Sequence, residues 1–237
     1  MSFRAHILTL TALFGLAAAI PSNAKAAGAT SWNAVTDFST SSNPNGVWSY
    51  GYGTPGSSFT SFTYSGSNFN GPDTSGAYWA GGISGIPVVG GGGASFSTVD
   101  VPSNELWMHP GNDPTLASIV EFTAPTTANY EIIGAFVRRD TSNGTGYGPI
   151  VSIYAGSNDL LSESLSSSAY GNAITFDDVI SLTAGEQLTF DVAVNTEYYN
   201  DSTGLTLGIT DVPEPASLIL LGTGLLGLGM LRRRART

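Results

Sequence analysis

The stretch LTFDVAVN, residues 188–195, carries the pattern that decides the fold. Apolar side chains occupy every second position from Leu188 to Val194, and mostly polar or small side chains lie between them. Because successive side chains of a strand point to opposite faces of a sheet, this alternation predicts a strand with one face buried and the other in water.

The same reasoning extends over the central region of the chain, from residue 27 to residue 211. Further strands are predicted at residues 116–123, 130–137, 150–154 and 205–209. The second and third of these are apolar on both faces, which indicates more central positions. Clusters typical of turns occur at residues 125–129, 142–146 and 184–186. With no helical stripe in this region, we expect an all-β protein, an antiparallel β-sandwich or jelly roll.

The first part of the central region is rich in glycine. Glycines crowd residues 81–93, and we expect a long loop there because glycine has no side chain to pack. The N-terminal portion then supplies the outer strands of one β-sandwich domain over residues 27–211. A chain with two domains that meet near residue 100 is the alternative.

Charge restricts the partners of this region. The chain of 237 residues has a formal net charge of −10, but between residues 27 and 211 only Arg138 and Arg139 oppose 17 acidic residues, which gives −15. Such a region lacks the cations that replace phosphate counterions, so nucleic acid is excluded as a partner. The absence of cysteine excludes disulfides and thiol chemistry.

The N-terminal residues 1–26 have the features of a secretory signal peptide. Arg4 supplies the positive charge, residues 7–20 an apolar core, and Ala24 and Ala26 the small residues of a cleavage site. A first transmembrane helix is the alternative, and the short apolar core disfavours it. We therefore expect export and removal of this segment by signal peptidase.

The C-terminal residues 212–237 have three parts in order. They are the cassette Val212, Pro213, Glu214 and Pro215, the uncharged run 216–231, and the basic residues Arg232, Arg233, Arg234 and Arg236. As a helix the run would span about 24 Å, and snorkelling arginines can cover the deficit against the roughly 30 Å hydrocarbon core. We expect a single transmembrane helix with the arginines as a cytoplasmic stop.

This tail resembles the PEP-CTERM sorting signal of Gram-negative bacteria. The resemblance implies transient insertion into the inner membrane, cleavage near Pro-Glu-Pro by an exosortase-type membrane protease, and transfer to the cell surface. A permanent anchor without processing is the alternative. Gly222, Gly224 and Gly227 also spell the dinucleotide-binding pattern G-x-G-x-x-G, but too few residues follow for the βαβ unit that this motif requires.

A second resemblance covers about 100 residues of the central region. The segments LWMHPG (106–111), SLTAGE (181–186) and DSTGL (201–205) are similar to carbohydrate-binding-module-type jelly rolls attached to other PEP-CTERM proteins. These segments are mostly structural turns, so the resemblance implies a fold more than a ligand.

The central region offers few groups for catalysis. His109 is its one histidine and precedes Pro110-Gly111, so we expect it to anchor a turn rather than to serve a Ser-His-Asp triad. A zinc site lacks a second nitrogen or sulfur ligand. Paired carboxylates, as in glycoside hydrolysis, remain, although the adjacent Asp177 and Asp178 would point to opposite faces of a strand. We expect no catalytic residues.

Two groups of aromatic residues are candidates for carbohydrate binding. Trp48, Tyr50 and Tyr52 would share one face of a strand, where they can stack on sugars or fill the core. The core is the favoured interpretation. Tyr198 and Tyr199 lie beside Asn200 in a predicted loop and are the second candidate.

No cofactor is expected apart from a structural calcium ion. Asp140, Asn143 and Asp201 could supply its oxygen ligands, although no EF-hand spacing occurs.

Together these features predict an exported, non-enzymatic protein of the cell surface or extracellular matrix, associated with exopolysaccharide or biofilm. The alternative is a protein whose jelly roll binds polysaccharide directly. A second alternative is a secreted glycoside-active enzyme that uses two carboxylates.

Overall fold

The computed structural model describes residues 28–69, 76–81, 85–142 and 147–213, and every regular element in them is a strand. The strands are β1 (Ser31–Asn33), β2 (Trp48–Gly53), β3 (Thr60–Ser61), β4 (Tyr64–Ser67), β5 (Ala77–Ala80), β6 (Val88–Gly90), β7 (Ser95–Phe96), β8 (Val99–Asp100), β9 (Leu106–His109), β10 (Ala117–Thr123), β11 (Ala128–Arg138), β12 (Ile150–Ala155), β13 (Asn158–Ser164), β14 (Ala173–Leu182), β15 (Gln187–Ala193) and β16 (Thr203–Val212).

The strands form two large sheets and one hairpin, and all pairings are antiparallel. The eight-stranded sheet has the order β14-β11-β16-β9-β6-β5-β4, with β1 also paired to β16. The six-stranded sheet has the order β13-β12-β15-β10-β2-β3, and β7 pairs with β8. Strands from both halves of the chain therefore complete the same two sheets.

The hydrophobic core lies between the two large sheets. Leu188, Phe190 and Val192 of β15 are fully buried, as the alternation in that strand requires. They share one cluster with side chains of the opposite sheet, among them Phe136 of β11 and Leu205 of β16. Burial of an aliphatic or aromatic side chain of this size contributes about 1.5–3 kcal/mol. The predicted all-β antiparallel sandwich is confirmed.

Two expectations about local structure are corrected. The glycine-rich segment 81–93 is not one long loop, because β6 (Val88–Gly90) forms a buried strand within it. Gly90 lies against Trp107, where a Cβ atom would be 3.1 Å from a ring carbon, so glycine allows close packing here. Strand β11 is not apolar on two buried faces, since Ile133 is 55% exposed.

Several predicted segments lie outside the described residues. They include the signal peptide at 1–26, the transmembrane helix at 216–231, the arginine cluster, and most of the turn at 142–146. Within the described part of the chain, no helix has the length and apolarity needed to cross a bilayer.

Candidate functional site

A cavity of about 310 Å³ lies at the end of the sandwich where β16 begins and β11 ends. It is within the size range of small-ligand sites. Its walls come from the β7–β8 hairpin, strand β9, the residue pair after β11 and the loop before β16. We call it the aromatic cavity; it is lined by Phe69, Ile86, Phe96, Ser97, Thr98, Val99, Trp107, His109, Asp140, Tyr198, Tyr199, Asn200 and Ser202.

Three aromatic rings form one wall of the aromatic cavity. The centroid of Trp107 lies 4.9 Å from that of Phe69 and 5.2 Å from that of Phe96, both in edge-on geometry. The Trp107 Nε1–H donates a hydrogen bond to the Ser202 hydroxyl at 3.4 Å. This mutual packing gives a rigid apolar surface beside a hydroxyl group.

Two tyrosines also line the aromatic cavity. The rings of Tyr198 and Tyr199 lie 4.2 Å apart between centroids with an interplanar angle of 30°. Tyr199 is 64% exposed. A large exposed ring held against a second ring is a suitable platform for the C–H face of a sugar.

The backbone around the aromatic cavity is strained. Among the described residues, the non-glycine residues with positive φ are Asn68 (64°), Ser97 (50°) and Asn200 (62°). Ser97 and Asn200 line the cavity, and Asn68 precedes its Phe69. A left-handed conformation costs little free energy for asparagine and more for serine, so the strain is clearest at Ser97, and such conformations cluster at functional sites. Their grouping here supports a functional role for this end of the sandwich.

A buried polar cluster lies behind the cavity. Arg138, Asp140 and Asp201 are each 2% exposed. Arg138 donates to the backbone carbonyls of Asp140, at 3.2 Å, and of Ser142. Burial raises the pKa of Asp201 to about 8, although nearby Arg138 opposes this shift. The Asp201 carboxyl is therefore largely protonated at neutral pH.

His109 ends strand β9 and lines the cavity. Its Nδ1–H donates to the carbonyl of Pro110 at 2.8 Å, because a carbonyl can only accept. Burial lowers the pKa of His109, so the ring is neutral at physiological pH. The histidine anchors its turn, as the sequence suggests.

Neither arginine of the central region is free to bind an anionic ligand. Arg138 is held by backbone carbonyls, as described above. Arg139 makes a bidentate pair with Glu105, with Nε donating to Oε2 at 2.7 Å, and its guanidinium lies 5.1 Å from the centroid of the Tyr170 ring. Gly204 makes room for this pair, since a Cβ atom there would overlap Glu105 Oε2.

The aromatic row of β2 is not an exposed platform. Trp48 is 1% exposed and Tyr50 0% exposed, and Tyr52 packs partly buried against the same core. Their face of β2 points inward, where Trp48 contacts Phe122 at 5.4 Å between ring centroids. A sugar cannot reach Trp48 or Tyr50, so their assignment as ligand contacts is corrected, in agreement with the favoured core interpretation.

The residues suggested for calcium come together only in part. Asp140 and Asp201 are close neighbours, but Arg138 already supplies a positive charge beside both. Asn143 lies outside the described residues. Over residues 28–69, 76–81, 85–142 and 147–213, no group of three or more His, Cys, Asp or Glu side chains is arranged to hold a metal ion. Calcium at this position stays a prediction, and Arg138 counts against it.

Phe69, Phe96 and Trp107 were not identified as site residues from the sequence. They come from different parts of the chain, and each is an aromatic residue of a type that is common in hydrophobic cores. No local pattern distinguishes a ring that lines a cavity from one that fills the core.

At the other end of β16, residues 211–234 match the family described as the PEP-CTERM protein-sorting motif. The chain carries a PEP-CTERM sorting motif. This motif implies an exported protein whose C-terminus is held in the membrane before processing by an exosortase. Val212 and Pro213 of the cassette are described and exposed, whereas Glu214 and Pro215 lie outside the described residues.

Solved structures with some likeness to the chain include carbohydrate-binding modules. A family 35 module from Clostridium thermocellum is 16% identical, covers 45% of this chain and 87% of its own, and has a TM-score of 0.28. The CBM51 module of Clostridium perfringens GH95, solved with methyl-galactose, is 10% identical over 64% of this chain and 94% of its own, with a TM-score of 0.31.

An adhesin domain of Lys-gingipain from Porphyromonas gingivalis is 14% identical, covers 51% of this chain and 80% of its own, and has a TM-score of 0.32. Among curated proteins, none matches the sequence. At these low scores, the fold assignment rests on the strand pairing and the shared core described above.

Proposed function

We propose that the protein is a non-catalytic, surface-associated glycan-binding protein that holds a sugar in the aromatic cavity. The observation that carries this proposal is the stacked pair Tyr198–Tyr199, which lines a cavity of about 310 Å³ together with Trp107. Aromatic rings stack on the apolar face of a sugar, and Ser202 and Asn200 provide polar groups at the same surface.

Charge defines the class of sugar. The cavity is lined by the acidic Asp140, and the two arginines of the central region are occupied by internal contacts. A uronate or sulfated sugar would bring a second negative charge without a cation to pair with it, which is unfavourable. The ligand is therefore a neutral or amino sugar.

The position of the cavity suits binding at the cell surface. Strand β16 has ten residues. It begins at Thr203, next to the cavity, and ends at Val212, in the sorting motif. At about 3.3 Å per residue this strand spans roughly 30 Å. A protein attached through its C-terminus then presents the cavity away from the membrane. This geometry supports a setting in exopolysaccharide or a biofilm matrix after cleavage by signal peptidase and exosortase.

A binding role is favoured over glycoside hydrolysis. Asp140 lines the cavity and Asp201 lies beside Asp140, and both side chains are almost completely buried. A catalytic pair needs access to a scissile bond and to water. We therefore assign these carboxyls to the support of the cavity.

The test is calorimetric titration of the exported protein with neutral gluco-oligosaccharides, chitosan oligosaccharides and oligogalacturonate. Tyr199→Ala is expected to weaken binding about tenfold, equivalent to about 1.4 kcal/mol. Tyr147→Ala is the matched control, since Tyr147 is 67% exposed and lies outside the cavity. Unchanged affinity in Tyr199→Ala, or tightest binding of oligogalacturonate, would contradict the proposal.

A further inference from the structure

A second cavity, of about 300 Å³, lies on the outer face of the six-stranded sheet. Its walls include Glu121 of β10, Thr189 of β15 and the β2–β3 loop from Gly56 to Phe59. Glu121 is directly opposite Thr189, and Asp191 is two residues further along β15 on the same face. Diagonal neighbours of this kind lie about 7–8 Å apart. We call this group the carboxylate site.

Asp191 is fully buried and has no positive charge beside it. Its side chain is 0% exposed, and neither carboxylate oxygen has a hydrogen-bond partner. The Thr189 hydroxyl and the Gly56 N–H approach the carboxylate and partly oppose the effect of burial on its pKa, but neither meets full hydrogen-bond geometry, and Thr189 Oγ1 is itself buried without a partner. Buried polar atoms nearly always have hydrogen-bond partners in native proteins, so three oxygens without a protein partner at one place point to a bound ligand.

The charge at this place points to a cation. Glu121 adds a second carboxylate near Asp191. Arg138 and Arg139, the basic residues of the described part of the chain, are held at the other end of the sandwich. Burial of a carboxylate that lacks both a countercharge and hydrogen bonds is strongly unfavourable. Accordingly, burial raises the pKa of Asp191 to about 7 and that of Glu121 above its usual value.

The β2–β3 loop closes over the carboxylate site. Phe59 packs against Ile119 and against Gly51, where a Cβ atom would lie 2.6 Å from its ring. Gly56, with φ of +62°, lies equally close to the ring of Tyr154. Both contacts hold the loop on the sheet, and bulk water is excluded from Asp191.

We propose that the carboxylate site binds a calcium ion through the carboxylates of Asp191 and Glu121 and the hydroxyl of Thr189. Calcium takes six to eight oxygen ligands in flexible geometry, so two carboxylates and a hydroxyl leave positions for water molecules on the side of the adjacent cavity, which Glu121 and Thr189 line. The ion provides the missing positive charge and ligands for all three unpartnered oxygens. It also ties β10 to β15 beneath the β2–β3 loop. This site is separate from the aromatic cavity and from Asp140, Asn143 and Asp201.

The test is calcium titration of the exported protein after removal of metal with EDTA, followed by calorimetry and by the melting temperature. A second readout is terbium luminescence sensitised by aromatic residues, of which Tyr154 contacts the covering loop. Asp191→Asn keeps the shape of the side chain and is expected to lower calcium affinity at least about tenfold. Glu121→Gln is expected to weaken binding as well.

Asp178→Asn is the control, because it makes the same change in an exposed carboxyl of β14, in the other large sheet. It is expected to bind calcium as the wild type does. Absence of calcium binding to the wild type, wild-type affinity in Asp191→Asn, or loss of binding in Asp178→Asn would each overturn the proposal. If Asp191→Asn does not fold, Glu121→Gln decides: unchanged affinity there would also overturn it.

Discussion

At the scale of single residues, two buried carboxyls control how stability depends on pH. Burial raises the pKa of Asp191 to about 7 and that of Asp201 to about 8, against about 3.9 in an unfolded chain. At pH values between the pKa of the unfolded chain and the pKa of the folded protein, each carboxyl keeps a proton in the folded state that it loses in the unfolded state. The contribution of these two groups to the free energy of unfolding is therefore highest below about pH 4, and it falls as the pH rises towards 8.

Asp201→Asn should flatten this dependence, because the amide has no proton to lose. We expect the variant to be more stable than the wild type at pH 8 and close to it at pH 4. Urea denaturation in EDTA at both values measures the difference. Asp178→Asn changes an exposed carboxyl and serves as the control. Parallel pH profiles for the wild type and Asp201→Asn would contradict the assignment.

At the scale of elements, strand β16 leads directly into the sorting motif. Val212 pairs with Asn129 of β11, and the Asp211 amide donates to the Thr30 carbonyl at 3.0 Å. Only Pro213 then precedes Glu214. A protease that cleaves near the Pro-Glu-Pro segment would therefore act within a few residues of a paired strand.

A flexible spacer of about eight Gly and Ser residues between Val212 and Pro213 should raise the fraction of processed protein. The reason is that the cassette can then leave the sheet without disturbing β16. Immunoblots after a pulse of synthesis measure the processed fraction. The same spacer placed in the exposed turn between Ala184 and Gly185 is the control and should have no effect. Equal processing in all three proteins would show that β16 does not hinder the protease.

At the scale of the whole molecule, the expected mature protein is much more acidic than its precursor. Loss of residues 1–26 and of the tail removes six of the eight basic residues and leaves an acidic sandwich. Net charge of this size favours solubility and repels anionic surfaces.

Intact-mass measurement of the surface-exposed protein should show a C-terminus near Pro215 and no signal peptide. The arginines from Arg232 to Arg236 should be retained in cells that lack the exosortase, which provides the control. Retention of these arginines in the mature surface form of normal cells would instead indicate a permanent anchor.

The sequence determined the strands and carries the sorting motif that implies export. Alternation along β15 and β16 fixes which face is buried, because the side-chain period of a strand is two residues. The cassette, apolar run and arginines are contiguous, so their chemistry is visible without a fold. Sequence also placed Tyr198 and Tyr199 in a loop suited to binding, although it gave no means to find their partners.

Tertiary structure alone decided which aromatic and acidic residues a ligand can contact. Trp48 and Tyr50 have the residue types and the alternate spacing that a binding platform would also have. Their face of β2 nevertheless points into the core. Phe69, Trp107 and Tyr199 meet at one cavity although they are far apart in the chain. Asp191 looks like the polar position of an exposed strand face, and the β2–β3 loop buries it. Such contacts depend on how distant segments pack, which local periodicity does not encode.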